Sequence, residues 1–307
     1  MSAPARSFRV LSVLTLAVGL SLGMASQTWS AAPSSQAGNA SATQPARELT
    51  LGLGNKVTMK LVWIPAGKFM MGSSKDEQEA ANRNPKAQGS ADYDFTQEGP
   101  QHEVTISKAF YLGVYDVTQE QYEQVMGKNP SHFRGAQNPV EMVSWADAVE
   151  LCQKVSAKTG KTVRLPTEAE WEYACRAGTN TPFHTGETIS TDQANYDGNY
   201  VYGTGVKGEY RQTTTPGATF KPNALGLYDM HGNVWEWCAD WSDATYYANS
   251  PTADPTGPAD GKLRVLRGGS WYNSPRFCRS AIRGRIGPGT RHGSIGFRVV
   301  VVAAGLD

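Results

Sequence analysis

The residues best placed to do chemistry lie in three strings of the C-terminal half. Asp229-Met230-His231-Gly232-Asn233-Val234-Trp235-Glu236 puts two carboxylates on either side of a glycine. Calcium takes six to eight oxygens, and a tight turn can supply several of them from backbone carbonyls. Asp229 and Glu236 offer the charged oxygens, and Gly232 bends the chain so that carbonyls can converge. The plainer alternative has Asp229 capping a turn and Glu236 pairing with an arginine such as Arg267. Further on, Arg267-Gly268-Gly269-Ser270 supplies two residues without Cβ, so that backbone can approach whatever lies alongside. Cys278 follows, with Arg276 and Arg279 close enough in sequence to lower its pKa. It reads three ways: a reactive thiol, a copper ligand, or half of a disulfide.

Other chemistries lack their residues. The five histidines (His102, His132, His184, His231 and His292) show no metal-ligand spacing. No glycine-rich phosphate loop follows a strand, and Gly-x-Ser-x-Gly is absent. Lys and Arg number 29 against 28 Asp and Glu. A chain this near neutrality lacks the basic surplus that sequence-independent nucleic-acid binding needs.

The elements that must position these residues are few. Met1 to Ala32 reads as a secretory signal, with Arg6 and Arg9 before an apolar run from Val10 to Leu22 that is short for a membrane span. Residues 33–50 read as a disordered linker, rich in Ser, Ala, Gln, Asn and Pro between residues 33 and 46. The domain is then 51–303, one unit without internal repeat. Val57–Ile64 reads as a strand that turns at Pro65-Ala66-Gly67 into Lys68–Gly72, a hairpin. Ser73–Gly99 reads as a long exposed loop, and His102–Ile106 and Phe110–Tyr115 as strands. Three helices open on hydroxyl caps: at Thr118, ending at Gly127; at Ser144, ending at Gly160; and at Thr167, where Glu170 completes a capping box. From Gly178 to Gly261 glycine, asparagine and proline recur so often that helices or long strands are not expected. Trp235 and Trp237 alternate as a strand would, which places at least one in the core.

Three strings together carry a resemblance. Arg164-Leu165-Pro166-Thr167-Glu168-Ala169-Glu170-Trp171-Glu172-Tyr173, Gly226-Leu227-Tyr228-Asp229 running on to Trp235-Glu236-Trp237, and Leu263 to Asn273 closing on Gly296-Phe297-Arg298-Val299-Val300 resemble the sulfatase-modifying factor family, whose founding member is the formylglycine-generating enzyme. The resemblance covers roughly Leu61 to Val301. It implies an irregular α+β fold, a variant of the C-type lectin fold, with few short helices, antiparallel strands and much loop. It also implies oxidation of a cysteine in a protein substrate, by copper held between two thiols. Here Asn273 stands where the first thiol would be, and only Cys278 can match the second, so copper is not expected. A hard amide oxygen is a poor ligand for Cu(I). The resemblance further implies calcium held by the Asp229 and Glu236 side chains with the Gly232 and Val234 carbonyls. A second calcium would use Asn195 and the Tyr196 carbonyl opposite Glu209 and the Arg211 carbonyl. Ser270 would line a substrate cleft with Trp235, Arg267 and Trp271.

The four cysteines, all beyond the signal, favour disulfides in an oxidising compartment. The pairing expected is Cys152–Cys175 and Cys238–Cys278. The functional expectation is an exported, periplasmic or secreted monomer acting as an oxidoreductase on a protein or peptide of the cell envelope, without the two-cysteine copper site. No nucleic-acid partner and no membrane insertion after signal cleavage are expected. Two alternatives stay open: authentic formylglycine generation, and a lectin-like module that binds peptide or glycan without catalysis.

Overall fold

A computed structural model describes residues 47–83 and 93–302. The signal and most of the linker lie outside the described residues, as does the chain between the first helix and Tyr93. The strands are β1 (Glu48–Gly54), β2 (Val57–Ile64), β3 (Gly67–Met71), β4 (His102–Ile106), β5 (Phe110–Gly113), β6 (Val163–Arg164), β7 (Trp235–Trp241), β8 (Arg264–Arg267), β9 (Gly284–Ile286), β10 (Ile295–Gly296) and β11 (Val300–Val302). The helices are α1 (Lys75–Arg83), α2 (Gln119–Met126), α3 (Trp145–Thr159) and α4 (Glu168–Arg176). One sheet runs β1-β2-β5-β11-β6, a second β10-β7-β8-β9, and β3 pairs with β4 alone. All pairings are antiparallel except β10 with β7. The result is α+β with long irregular connections, as the sequence implied.

The capped helices form where the caps place them. Thr118, Ser144 and Thr167 each accept from the N3 amide while the N3 side chain returns to the cap amide, and α2 and α3 stop on left-handed Gly127 and Gly160. Both orphan donors at each start are thereby satisfied.

Four expectations need correction. The linker does not reach residue 50, because Glu48 already pairs with Val62 across β1–β2 and Leu51 and Leu53 are buried there. The hairpin after Ile64 does not form. β2 lies between β1 and β5, whereas β3 pairs with β4 some thirty residues on, so Pro65 and Ala66 pass the chain between sheets. The exposed loop of 73–99 contains α1 and a 3-10 turn, Phe95–Glu98, whose Phe95 and Glu98 are buried. Finally, β7 lies within the stretch read as irregular, burying both Trp235 and Trp237.

The expected disulfides are absent as well: all four cysteines are buried free thiols. Apolar packing divides into two clusters, and each expected pair is split between them. Cys152 and Cys278 belong to one cluster, Cys175 and Cys238 to the other. Each thiol behaves as a small apolar side chain in its own cluster.

Candidate functional site

The sheet β10-β7-β8-β9 and the turn Phe95–Glu98 enclose a cleft of roughly 530 Å³. Trp235, Asn273, Phe277 and Tyr272 line it, with Tyr93, Asp94, Arg285 and His292 among the residues around them. Its polar centre is Asn273. The Asn273 Oδ1 accepts from Trp235 Nε1 at 2.9 Å and from Ser270 Oγ at 2.6 Å, while the Asn273 carbonyl accepts from Asp197 N at 2.9 Å. Ser270 is fully buried, so its role is to fix the amide and not to face the cleft.

The double glycine has a steric explanation. Gly268 and Gly269 both adopt left-handed backbone, and a Cβ on Gly269 would collide with the Phe277 carbonyl and lie 2.7 Å from Cys278 Sγ. This close approach seals the thiol. Cys278 has no exposed surface, and burial pushes its pKa up to about 12, with the Ser270 amide only partly opposing. Arg276 and Arg279 do not activate it. Arg279 is bound to Glu98 at 2.6 and 2.9 Å and to Glu77 at 2.8 Å, and Arg276 lies over the Phe277 ring at 4.7 Å. A thiol so placed supplies almost no thiolate at neutral pH.

Of the other expected cleft residues, Arg267 is wholly buried and bound to Glu172, with carbonyls of Ser280, Ala281 and Ile282 around it. Trp271 does not line the cleft itself but backs Tyr272, which does, at 5.4 Å; its Nε1 donates to Gly293 O at 3.0 Å, and its ring also packs on Phe133 at 5.3 Å.

The acidic string is brought together, with one partner the sequence reading did not assign. Glu236 does not pair with Arg267, although the two are Cα partners across β7–β8. Both its oxygens take Arg298, at 2.6 Å from Nε and 2.8 Å from Nη2, and Trp171 Nε1 donates to Oε2 at 2.8 Å. Arg298 also donates to the carbonyls of Gly113 and Tyr228. Asp116 joins the cluster, 3.8 Å from Arg298. Three carboxylates thus surround one guanidinium. Asp229 keeps both oxygens buried and without a hydrogen bond, and Asp116 keeps one. Burial pushes the Asp229 carboxyl up to about 7. The signal for Arg298 lies in Gly296-Phe297-Arg298, a string that assigns the arginine no role by itself; Asp116 lies in a strand-end Tyr-Asp-Val that carries no pattern.

Gly232 is held at φ 96°, where a Cβ would strike the Asn195 carbonyl. Asn233 then joins the neighbouring loops: its Oδ1 accepts from Thr215 N and Asn195 Nδ2, and its Nδ2 donates to Thr215 O. Asn195 Oδ1 is buried and unpartnered, which suits a cation ligand. The Glu209 side chain is 65% exposed and pairs with Arg211 at 3.1 Å. Tyr196 is buried, its hydroxyl donating to Ile189 O at 3.0 Å. Among the described residues, no three His, Cys, Asp or Glu side chains converge as a metal site. Any ion here would therefore take at most two such side chains and draw the rest of its ligands from carbonyl and amide oxygens.

The Sulfatase-modifying factor enzyme 1-like domain family matches residues 53–303. The formylglycine-generating enzyme of Streptomyces coelicolor is 40% identical over 169 residues, which is 52% of this chain and 52% of that protein. The chain therefore matches about half the length of this relative. Among solved structures, Treponema denticola variable protein 1 aligns with a TM-score of 0.70 at 29% identity, covering 84% of this chain and 100% of that one. PvdO from Pseudomonas aeruginosa aligns with a TM-score of 0.68 at 30% identity, covering 85% and 100%. The chain belongs to the sulfatase-modifying factor family and has its fold.

Proposed function

We propose that this member of the sulfatase-modifying factor family is an exported protein that uses the cleft to bind a peptide segment and performs no thiol-dependent copper oxidation there. One observation carries the reading: the cleft presents the fixed amide of Asn273, no cysteine lines it, and Cys278 is sealed. Cu(I) needs soft donors that can carry compensating charge, and an amide oxygen does neither. The lining favours a peptide. Aromatic rings at Trp235, Tyr272 and Phe277 offer apolar area, and Asp94 and Arg285 place opposite charges around it. This sets aside the oxidoreductase reading in favour of the binding alternative. Export rests on the N-terminal sequence; among the described residues, no helix is long and apolar enough to cross a membrane.

The test uses the full chain, reduced and supplied with Cu(I). A Cys-x-Pro-x-Arg peptide is expected to stay unconverted. Peptides selected on the protein from a display library are expected to bind equally when Cys is replaced by Ser, and to lose about tenfold, roughly 1.4 kcal/mol, in Tyr272→Ala. Tyr272 is 39% exposed, so its truncation leaves the fold in place. Formylglycine, seen by its mass and abolished in Cys278→Ser, overturns the proposal.

Calcium is the proposed structural ion. The unpartnered oxygens of Asp229 are its candidate ligands, with carbonyls of the Gly232–Val234 turn, and the unpartnered Asn195 Oδ1 would serve a second ion. Glu236 would contribute only by releasing Arg298. Bound calcium would fix these loops and neutralise the excess buried carboxylate. An ion at a hundredfold excess over its dissociation constant adds about 2.7 kcal/mol. The melting temperature should therefore fall by several degrees in EDTA and recover with calcium, but not in Asp229→Asn. A shift that persists unchanged in that variant rejects Asp229 as a ligand.

A further inference from the structure

The sheet that forms the cleft ends on β9, which among the described residues pairs with β8 and with no second strand. All three of its residues, Gly284, Arg285 and Ile286, line the cleft. Successive residues of a strand turn to opposite faces, so a cleft that meets three in a row runs along the strand's edge and not over one face. In an antiparallel pair, alternate residues turn both N–H and C=O away from the partner strand. At least one of the three therefore turns both groups outward, and among the described residues nothing but β8 hydrogen-bonds their backbone. Just ahead of them Tyr93, also of the lining, closes the edge by donating to the Arg283 carbonyl at 2.7 Å. An edge open to this extent is a template for another strand.

The side chains around the edge are chemically distinct. A Cβ on Gly284 would lie 2.9 Å from the Trp235 ring, so the glycine lets the indole reach across β8 and brings aromatic surface to the edge. Arg285, on the opposite face, is exposed and makes no ion pair among the described residues. Asp94 Oδ1, by contrast, is engaged by Thr96 N and Oγ1 at 3.0 and 2.6 Å. Arg285 is thus the charge left for an occupant to meet.

Resting on the reading that the cleft takes a peptide, we infer that an extended segment of a protein adds to β9 as a fifth strand of this sheet. Its backbone bonds the outward groups of Gly284–Ile286, with an acidic side chain beside Arg285 and an apolar one on the Trp235 side. Main-chain bonds supply affinity in this mode, and alternate side chains supply selectivity. A second copy of β9 is disfavoured as the occupant, because antiparallel pairing centred on the strand would set Arg285 against Arg285.

The test uses the full chain and the tightest peptide that display selection yields on it, N-methylated at one backbone position at a time. Strand addition points every second N–H at β9, so methylation should cost about tenfold in Kd at alternate positions and little at those between. Recognition by side chains alone leaves no such period. The second arm changes the peptide's acid to Lys: binding should fall about tenfold to the parent chain and recover in Arg285→Glu. Arg285 is exposed, so this variant should melt as the parent does. Losses without a two-residue period, selected peptides lacking an acid, or an acid-to-Lys change that both chains read alike overturn strand addition while the peptide reading stands. Selection that yields no saturable binder overturns both.

Discussion

At the residue scale, the most consequential side chain is Arg298, which holds together an acidic cluster that would otherwise repel itself. It is fully buried, as is Glu236, and the pair is bidentate. Removing one member of such a pair leaves a charge in a low-dielectric interior, a loss of about 3–5 kcal/mol. Arg298→Met should lose that much in urea unfolding at neutral pH, because Asp116, Asp229 and Glu236 would all be left without their cation. A loss below about 1 kcal/mol would show that protons or solvent already compensate the carboxylates. The sequence made Asp229 and Glu236 visible, by type and spacing, but neither Asp116 nor this arginine, which lies 62 residues from Glu236 in the chain. Asn273 was more legible: its chemistry as a poor copper ligand followed from its type alone. Its fixation by Trp235 was not legible, because that residue lies 38 positions away on another strand, whereas Ser270 is a neighbour three residues before it.

Elements were readable where a local device forms them. Each hydroxyl cap predicted a helix start and each was found, since a capping box acts within four residues. Failures came where partner choice is non-local. β3 could have returned on β2 by every short-range signal, and its pairing with β4 depends on what else covers β2. Helix α4 is the element that supports the site. It turns Trp171 toward Glu236 and the Gly268 backbone, and Glu168 and Glu172 toward Arg283 and Arg267. Acids on the buried face of a helix contradict the usual amphipathic pattern, so no periodicity could have announced them. The start of α4 is fixed by Thr167, whose Oγ1 accepts from Glu170 N at 3.1 Å. Thr167→Ala should cost about 1 kcal/mol in unfolding free energy. Thr167→Ser, which keeps the acceptor, should recover most of it. Equal losses in the two variants would assign the effect to the methyl group's packing and not to the cap.

At the scale of the whole molecule, buried titratable groups predict how stability varies with pH. Asp240 is buried under α4, accepting from Glu168 N at 2.8 Å, and burial raises its pKa to about 8, with Glu168 adding to the rise. A carboxyl raised in the folded state contributes stability that is complete below its unfolded value near 3.9 and is lost as pH rises to about 8. The histidines work in the opposite direction. His231 is buried against Cys278 O at 2.7 Å and stacks on His184 at 4.8 Å; burial lowers both, His184 to about 4. A histidine lowered in the folded state contributes stability that is present above its unfolded value near 6.5 and is lost as pH falls below it. Above pH 6.5 the histidines add nothing further while the raised carboxyls still lose, so melting temperature should decline between pH 6.5 and pH 8. Asp240→Asn keeps an acceptor for the Glu168 amide but cannot ionise, so it should flatten the decline between pH 6.5 and pH 8 and, because Asp240 opposes the histidines from about pH 3.9 upward in the parent, make the loss on acidification steeper. Melting curves taken from pH 4 to pH 9 in matched ionic strength decide this. Parallel profiles for parent and variant would remove Asp240 as the group responsible.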